Sequence, residues 1–145
     1  MEKNMKLIVP MPKEFCASFN QFHLPKQNHL SVGWLGLAIL TAEISKATFD
    51  MTPGQYKKFK NLKRENLRDH MDDLELILTM LGEATTTRIT TDRNSKGVPK
   101  LKKDARDGGK VAGRTRKDIE KQTGKKISTR KNFLPLALKG KIINL

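Results

Sequence analysis

Asp69, His70, Asp72, Asp73 and Glu75 lie within seven residues of one another and are of the types that hold Mg²⁺ and activate water in a nuclease. The same run also reads as a helix start. Asp72 is followed three positions later by Glu75, the capping-box spacing, and carboxylates are favoured against the positive end of a helix dipole. Capping accounts for Asp72, Asp73 and Glu75 without a metal. Cys16, His23 and His29 could ligate zinc, but three ligands at irregular spacing fit no structural zinc pattern. Lys121-Gln-Thr-Gly-Lys-Lys126 has part of a phosphate loop, yet Ile119 stands where its first glycine is needed and Lys126 where Ser or Thr is needed. Gly108-Gly-Lys-Val-Ala-Gly113 lacks dinucleotide spacing and follows no strand. No Gly-x-Ser-x-Gly elbow is present. The expectation is a protein that is not an enzyme, with no cofactor and no metal.

Charge is the remaining chemistry. The formal net charge of the 145-residue chain is +14, and it is unevenly spread. Residues 1–50 hold five Lys/Arg and four Asp/Glu, and residues 51–87 hold six of each. Residues 88–132 hold sixteen Lys/Arg against five Asp/Glu. A block of this kind attracts polyanions through a field that salt screens. A solvated basic tail without a ligand is the bland alternative. The candidate nucleic-acid-binding residues are Lys102, Lys103, Arg106, Lys110, Arg114, Arg116, Lys117 and Lys121. The block contains no aromatic residue before Phe133, so base stacking on single strands is not expected.

The elements that would position these residues are helical. Thr52-Pro53 is a start signal, a capping hydroxyl followed by proline at the first helical position. The helix after it places Tyr56, Phe59 and Leu62 on one side, with Lys57, Lys58 and Lys60 elsewhere, and is expected to continue toward Leu67 and His70. A second helix, from Asp72 to about residue 90, carries an apolar stripe of Leu74, Ile77, Leu78, Leu81, Ala84 and Ile89. A polar loop over Thr91–Pro99 leads to a helix ending near Gln122. There Leu101, Ala105, Gly108, Ala112, Thr115 and Ile119 form an inward face of mostly small side chains, suited to close approach of another helix. Gly108-Gly109 invites a kink, and Gly124 is the expected left-handed cap.

Ser31 to Thr48 also reads as a helix, whereas residues 1–30 are irregular. A short strand at Leu7–Val9 is cut off by Pro10, and Phe15, Phe19 and Phe22 recur at one helical turn. The fold expected is mainly α, a small bundle of four or five helices with a basic C-terminal helix and an irregular N-terminal segment. Its divisions are a poorly defined segment over 1–41, a helical domain over 42–135 and an apolar tail over 136–145. The single cysteine excludes an intramolecular disulfide and fits a reducing compartment. The first fifteen residues lack the apolar core of a secretory signal, and the Gln27–Ala42 stretch is shorter than a bilayer span. The expected location is cytoplasmic, with no membrane partner.

Three segments resemble a known family. They are Met51-Thr-Pro-Gly-Gln-Tyr-Lys-Lys-Phe-Lys-Asn-Leu-Lys-Arg-Glu-Asn-Leu-Arg-Asp-His-Met71, Asp73-Leu-Glu-Leu-Ile-Leu-Thr-Met-Leu-Gly-Glu-Ala-Thr-Thr-Thr87 and Gly108-Gly-Lys-Val-Ala-Gly-Arg-Thr-Arg-Lys-Asp-Ile-Glu-Lys-Gln-Thr-Gly-Lys-Lys126, with Asn132-Phe133-Leu134 after them. In order and content they resemble phage and prophage proteins related to DNA-damage-inducible protein D and BRO-family antirepressors, over about residues 42–135. The resemblance implies a regulatory protein of a mobile element acting around DNA, and no catalytic residues. Longer relatives carry a BRO-type DNA-binding domain ahead of this region. Residues 1–41 are too short for one, so DNA binding is expected here from charge alone. The leading expectation is a non-enzymatic, DNA-associated regulatory protein of phage type. The alternative is an antirepressor-like module that captures a host repressor or repair protein, motivated by the small-residue helix face and the apolar tail.

Overall fold

The computed structural model describes residues 31–134 and, within the first helix, side chains from Gly36 onward. The features expected at Leu7–Val9, Phe15, Cys16, Phe19, Phe22, His23, His29 and the 136–145 tail lie outside the described residues. Among the described residues four α-helices follow one another: α1 (Ser31–Phe49), α2 (Pro53–Phe59), α3 (Asp73–Arg93) and α4 (Val98–Thr123). A 3-10 turn (Leu67–His70) stands between α2 and α3. This is the mainly helical bundle expected. Among the described residues no helix is long and apolar enough to cross a membrane.

The helix ends follow from local chemistry. Thr52 Oγ1 accepts from the Gln55 amide at 3.3 Å while Gln55 Oε1 accepts from the Thr52 amide at 2.9 Å, a reciprocal capping box, with Pro53 just inside. At α3, Glu75 Oε2 accepts from the Asp72 amide at 2.7 Å. Each helix stops at a left-handed residue: Asp50 (φ 61°), Asn61 (φ 59°), Asn94 (φ 48°) and Gly124 (φ 67°). Asn61 corrects the expectation that α2 runs on toward His70. With Asn61 left-handed, its amide bonds the Lys58 carbonyl at 3.0 Å and the Leu62 amide bonds the Lys57 carbonyl at 2.8 Å. That pair of bonds closes a Schellman end, and Leu62 turns into the core.

α4 packs between α1 and α3. It runs parallel to α1, since Leu40 and Ile44 meet Leu101 and Ala105 while Asp50 reaches Arg116. The α3–α4 loop is short and makes those two antiparallel. Gly108-Gly109 does not break the helix, and α4 is continuous from Val98 to Thr123. The glycines instead allow backbones to touch on both flanks. A Cβ at Gly108 would lie 2.6 Å from the Thr86 amide nitrogen of α3, and one at Gly109 would lie 2.8 Å from the Ile44 carbonyl oxygen of α1. A Cβ at Gly113 would overlap the Ala47 carbonyl oxygen. The small inward face is therefore used within the chain.

α3 departs from the stripe expected of it. Leu74 is 43% and Ile77 57% exposed, and Ala84 is also exposed. Its buried residues are Glu75, Leu78, Gly82, Glu83, Thr86 and Thr90. Close approach of α4 explains the shift, since bulky side chains would hold the backbones apart. The buried hydroxyls are satisfied: Thr86 Oγ1 donates to the Gly82 carbonyl at 2.7 Å and Thr90 Oγ1 bonds Asp104 Oδ2 at 3.3 Å. α1 also crosses the expected 41/42 boundary, with Leu40 buried on the early side of it.

The larger apolar cluster joins Phe49, Tyr56, Leu62, Leu67, Met71 and Leu78 to Ile127 and Leu134. These last two belong to an extended strap, residues 127–134, that returns from α4 across α2 and the start of α3. A buried ion pair fastens it. Lys60 Nζ lies 2.9 Å from Glu75 Oε2 and also donates to the carbonyls of Thr129 (2.9 Å) and Lys131 (3.0 Å). Glu75 Oε1 accepts from the Thr129 amide at 3.0 Å and from the Tyr56 hydroxyl. Asn132 Nδ2 donates to the Lys60 carbonyl at 2.8 Å, and the Phe133 amide donates to His70 Nδ1 at 3.0 Å.

Candidate nucleic-acid interface

The outer face of α4 carries Lys103, Arg106, Lys110, Arg114, Lys117 and Lys121, all exposed. Their steps of three and four residues keep them on one side of a helix. At 1.5 Å rise per residue the ridge from Lys103 to Lys121 is about 27 Å long. Among the described residues, Lys103, Lys110, Arg114, Lys117 and Lys121 form no salt bridge. The helix beneath lies close against the backbones of both α1 and α3 at its glycines. A shallow open depression of about 500 Å³ runs along it, lined by Lys110, Arg114 and Lys117 with Asp107 and Gly113.

Three of the eight candidates are placed differently from these five. Lys102 Nζ lies 3.2 Å and Arg106 Nε 2.7 Å from the two oxygens of Glu43 on α1, so Glu43 partly neutralises that end of the ridge. The hydrogen bond from Arg106 is the main reason the Glu43 carboxyl is held below its ordinary pKa. Arg116 is corrected more strongly. Expected as a surface cation, it is buried, its Nη2 2.5 Å from Asp50 Oδ2 and its Nη1 3.9 Å from Glu120 Oε1. It ties the end of α1 to α4. The signal for this was its place one residue past Thr115, on the flank of the small face.

Of the acidic residues near the ridge, Asp118 is exposed between Lys117 and Lys121, while Asp104 and Asp107 are engaged by α3. Arg93 lies 2.7 Å from buried Asp104 and 2.8 Å from Asp107. Its hydrogen bond holds the Asp107 carboxyl below its ordinary pKa. Asp107 thus meets its main counter-charge on α3, with Lys110 and Lys103 of the ridge adding to it.

Of the cluster considered for Mg²⁺, Asp69 and Asp73 are exposed and the other three members are engaged in the fold. Glu75 is wholly buried against Lys60, Tyr56 and Thr129, Asp72 Oδ2 takes the Thr129 hydroxyl at 3.2 Å, and His70 accepts from Phe133. Among the described residues no group of three or more His, Cys, Asp and Glu is placed to hold a metal ion. Exposed cations also lie outside the eight candidates: Lys58, Lys125, Lys126, Arg130 and Lys131. Lys125, Lys126, Arg130 and Lys131 belong to the basic block of the sequence and Lys58 lies far before it, so only the strap's path shows which of them are neighbours.

Comparison with known proteins adds no assignment: no family model, no curated protein and no solved structure matches the chain.

Proposed function

We propose that the chain is a non-enzymatic regulatory protein of phage or prophage type that binds duplex DNA in the cytoplasm through phosphate contacts along α4. One observation carries the reading: five exposed cations that form no salt bridge, aligned along about 27 Å of one continuous helix. Such a row neutralises phosphates and displaces counterions without reading bases. α4 bears no aromatic side chain, which favours a duplex over unstacked single strands. The resemblance to relatives of DNA-damage-inducible protein D and the BRO-family antirepressors supplies the regulatory setting.

The test is fluorescence anisotropy with a labelled duplex at about 50 and 200 mM salt, the interval over which several phosphate contacts cost about 10³-fold or more. The combined variant Lys103→Gln, Lys110→Gln, Arg114→Gln, Lys117→Gln should bind far more weakly, with its salt slope reduced by about 0.9 for every phosphate no longer neutralised. All four side chains are exposed, so the fold should survive. Unchanged affinity would overturn the reading.

A second reading, capture of a host repressor or repair protein, is favoured by the exposed Leu74 and Ile77 on α3. The small-residue face does not speak for it, since α1 and α3 occupy that face. A stoichiometric protein partner that resists nuclease treatment and is lost on Leu74→Ser with Ile77→Ser would favour this reading over DNA.

A further inference from the structure

Past Lys121 the cations continue around the end of α4. Lys125 and Lys126 are exposed just after the Gly124 cap, and the chain then turns back as the strap, the Ile127 amide donating to Glu120 Oε1 at 3.0 Å. On the strap Arg130 and Lys131 are exposed, while the carbonyls of Thr129 and Lys131 point inward to the buried Lys60 ammonium. The guanidinium of Arg130 rests 5.5 Å from the centre of the Phe59 ring, in the same turn of α2 as exposed Lys58. Among the described residues none of these five cations forms a salt bridge. An extended segment would ordinarily present charge from a mobile backbone and lose affinity in ordering it. Here five hydrogen bonds involving Lys60, Glu75, Asn132 and Phe133 hold it in advance.

We propose that Lys58, Arg130 and Lys131 form a second phosphate-binding patch, joined to the α4 ridge through Lys125 and Lys126, so that one duplex is held at two places. The proposal rests on the DNA-binding reading of α4 and extends it. The ridge alone spans about eight base pairs, at 1.5 Å per helical residue and 3.4 Å per base-pair step. A duplex of that length is satisfied by α4, whereas a longer one reaches the strap.

The experiment compares 10- and 24-base-pair duplexes against the wild-type chain and the variant Lys58→Gln, Arg130→Gln, Lys131→Gln. With the longer duplex, the variant should lose affinity and its salt slope should fall by about 0.9 for each phosphate left unneutralised. With the shorter duplex it should match wild type. Equal affinity on both lengths would overturn the second patch while leaving the ridge standing. Equal loss on both would also overturn it, because the strap would then act only beside the ridge. Failure of the wild-type chain to bind either duplex would instead overturn the DNA-binding reading beneath it. A melting temperature of the variant no lower than that of wild type shows that the fold is intact.

Discussion

Lys60 is the residue whose sequence context misleads most. It stands among Lys57, Lys58 and Lys63 and reads as one more surface charge, yet it is fully buried with Glu75. Removing one member of a buried pair leaves the other charge uncompensated, at about 3–5 kcal/mol. Lys60→Met should therefore destabilise the protein by that order in urea unfolding, and should expose residues 127–134 to protease. Arg88→Gln breaks a pair whose side chains are 80% and 57% exposed, and should change stability by less than about 0.5 kcal/mol. Equal effects would show that the clasp is not what fastens the strap. Glu83 gives a pH signature. Burial raises its carboxyl above the ordinary value of 4.5, although Arg68 pulls the other way. The folded state thus binds this proton more tightly than the unfolded state. Its contribution to stability falls as pH rises from the ordinary glutamate range through the raised value. Glu83→Gln should become more stable relative to wild type across that rise; a difference independent of pH would sink the assignment. Neither Lys60 nor Glu83 could be found from the sequence, because a buried charge is recognised by its distant partner and not by its neighbours in the chain.

At the scale of elements, α4 was the most legible piece. Its small-residue periodicity, its start near Pro99 and its end at Gly124 all follow from spacing and local chemistry. Its continuity through Gly108-Gly109 did not, since intrinsic propensity argues for a break of about 1 kcal/mol per glycine. Packing overrides this, because only glycine lets α4 lie against the backbones of α1 and α3 at once. Gly109→Ala should therefore destabilise by about 1–3 kcal/mol through overpacking, despite alanine's better helix propensity. Gly54→Ala, on α2 with nothing within 4 Å of the added carbon, should stabilise by about 0.5–1 kcal/mol. Paired unfolding curves check both, and a stabilising Gly109→Ala would show the helices to be further apart than described. The stripe on α3 was illegible for the same reason. Counting apolar residues found Leu74 and Ile77, whereas the close approach of α4 selected Gly82, Thr86 and Thr90 for burial. The basic face was legible apart from Arg116, because charged side chains on a helix are exposed by default and only the approach of α1 buries that one.

The whole molecule carries +14, and its ridge, capped end and strap gather cations of which, among the described residues, only Arg106 forms a salt bridge. Self-repulsion of this kind weakens a compact state, and added salt screens it. Salt also weakens the surface pairs of Glu43 and Arg88, but isolated exposed pairs contribute little. Raising salt from about 50 to 200 mM should therefore raise the melting temperature of the protein alone, the gain coming from screened repulsion. With duplex DNA present the sign of the increment reverses. A ligand that binds only the folded state stabilises it by RT ln(1 + [L]/Kd), and Kd for a phosphate-contacting protein rises steeply with salt. The melting temperature of the complex should exceed that of the free protein at low salt, and the two should converge as salt rises. The quadruple ridge variant should melt higher than wild type without DNA, being relieved of part of the repulsion, and should gain less from DNA. A variant that melts lower without DNA would mean that the ridge cations stabilise the fold, and that their alignment along α4 serves the protein rather than a polyanion.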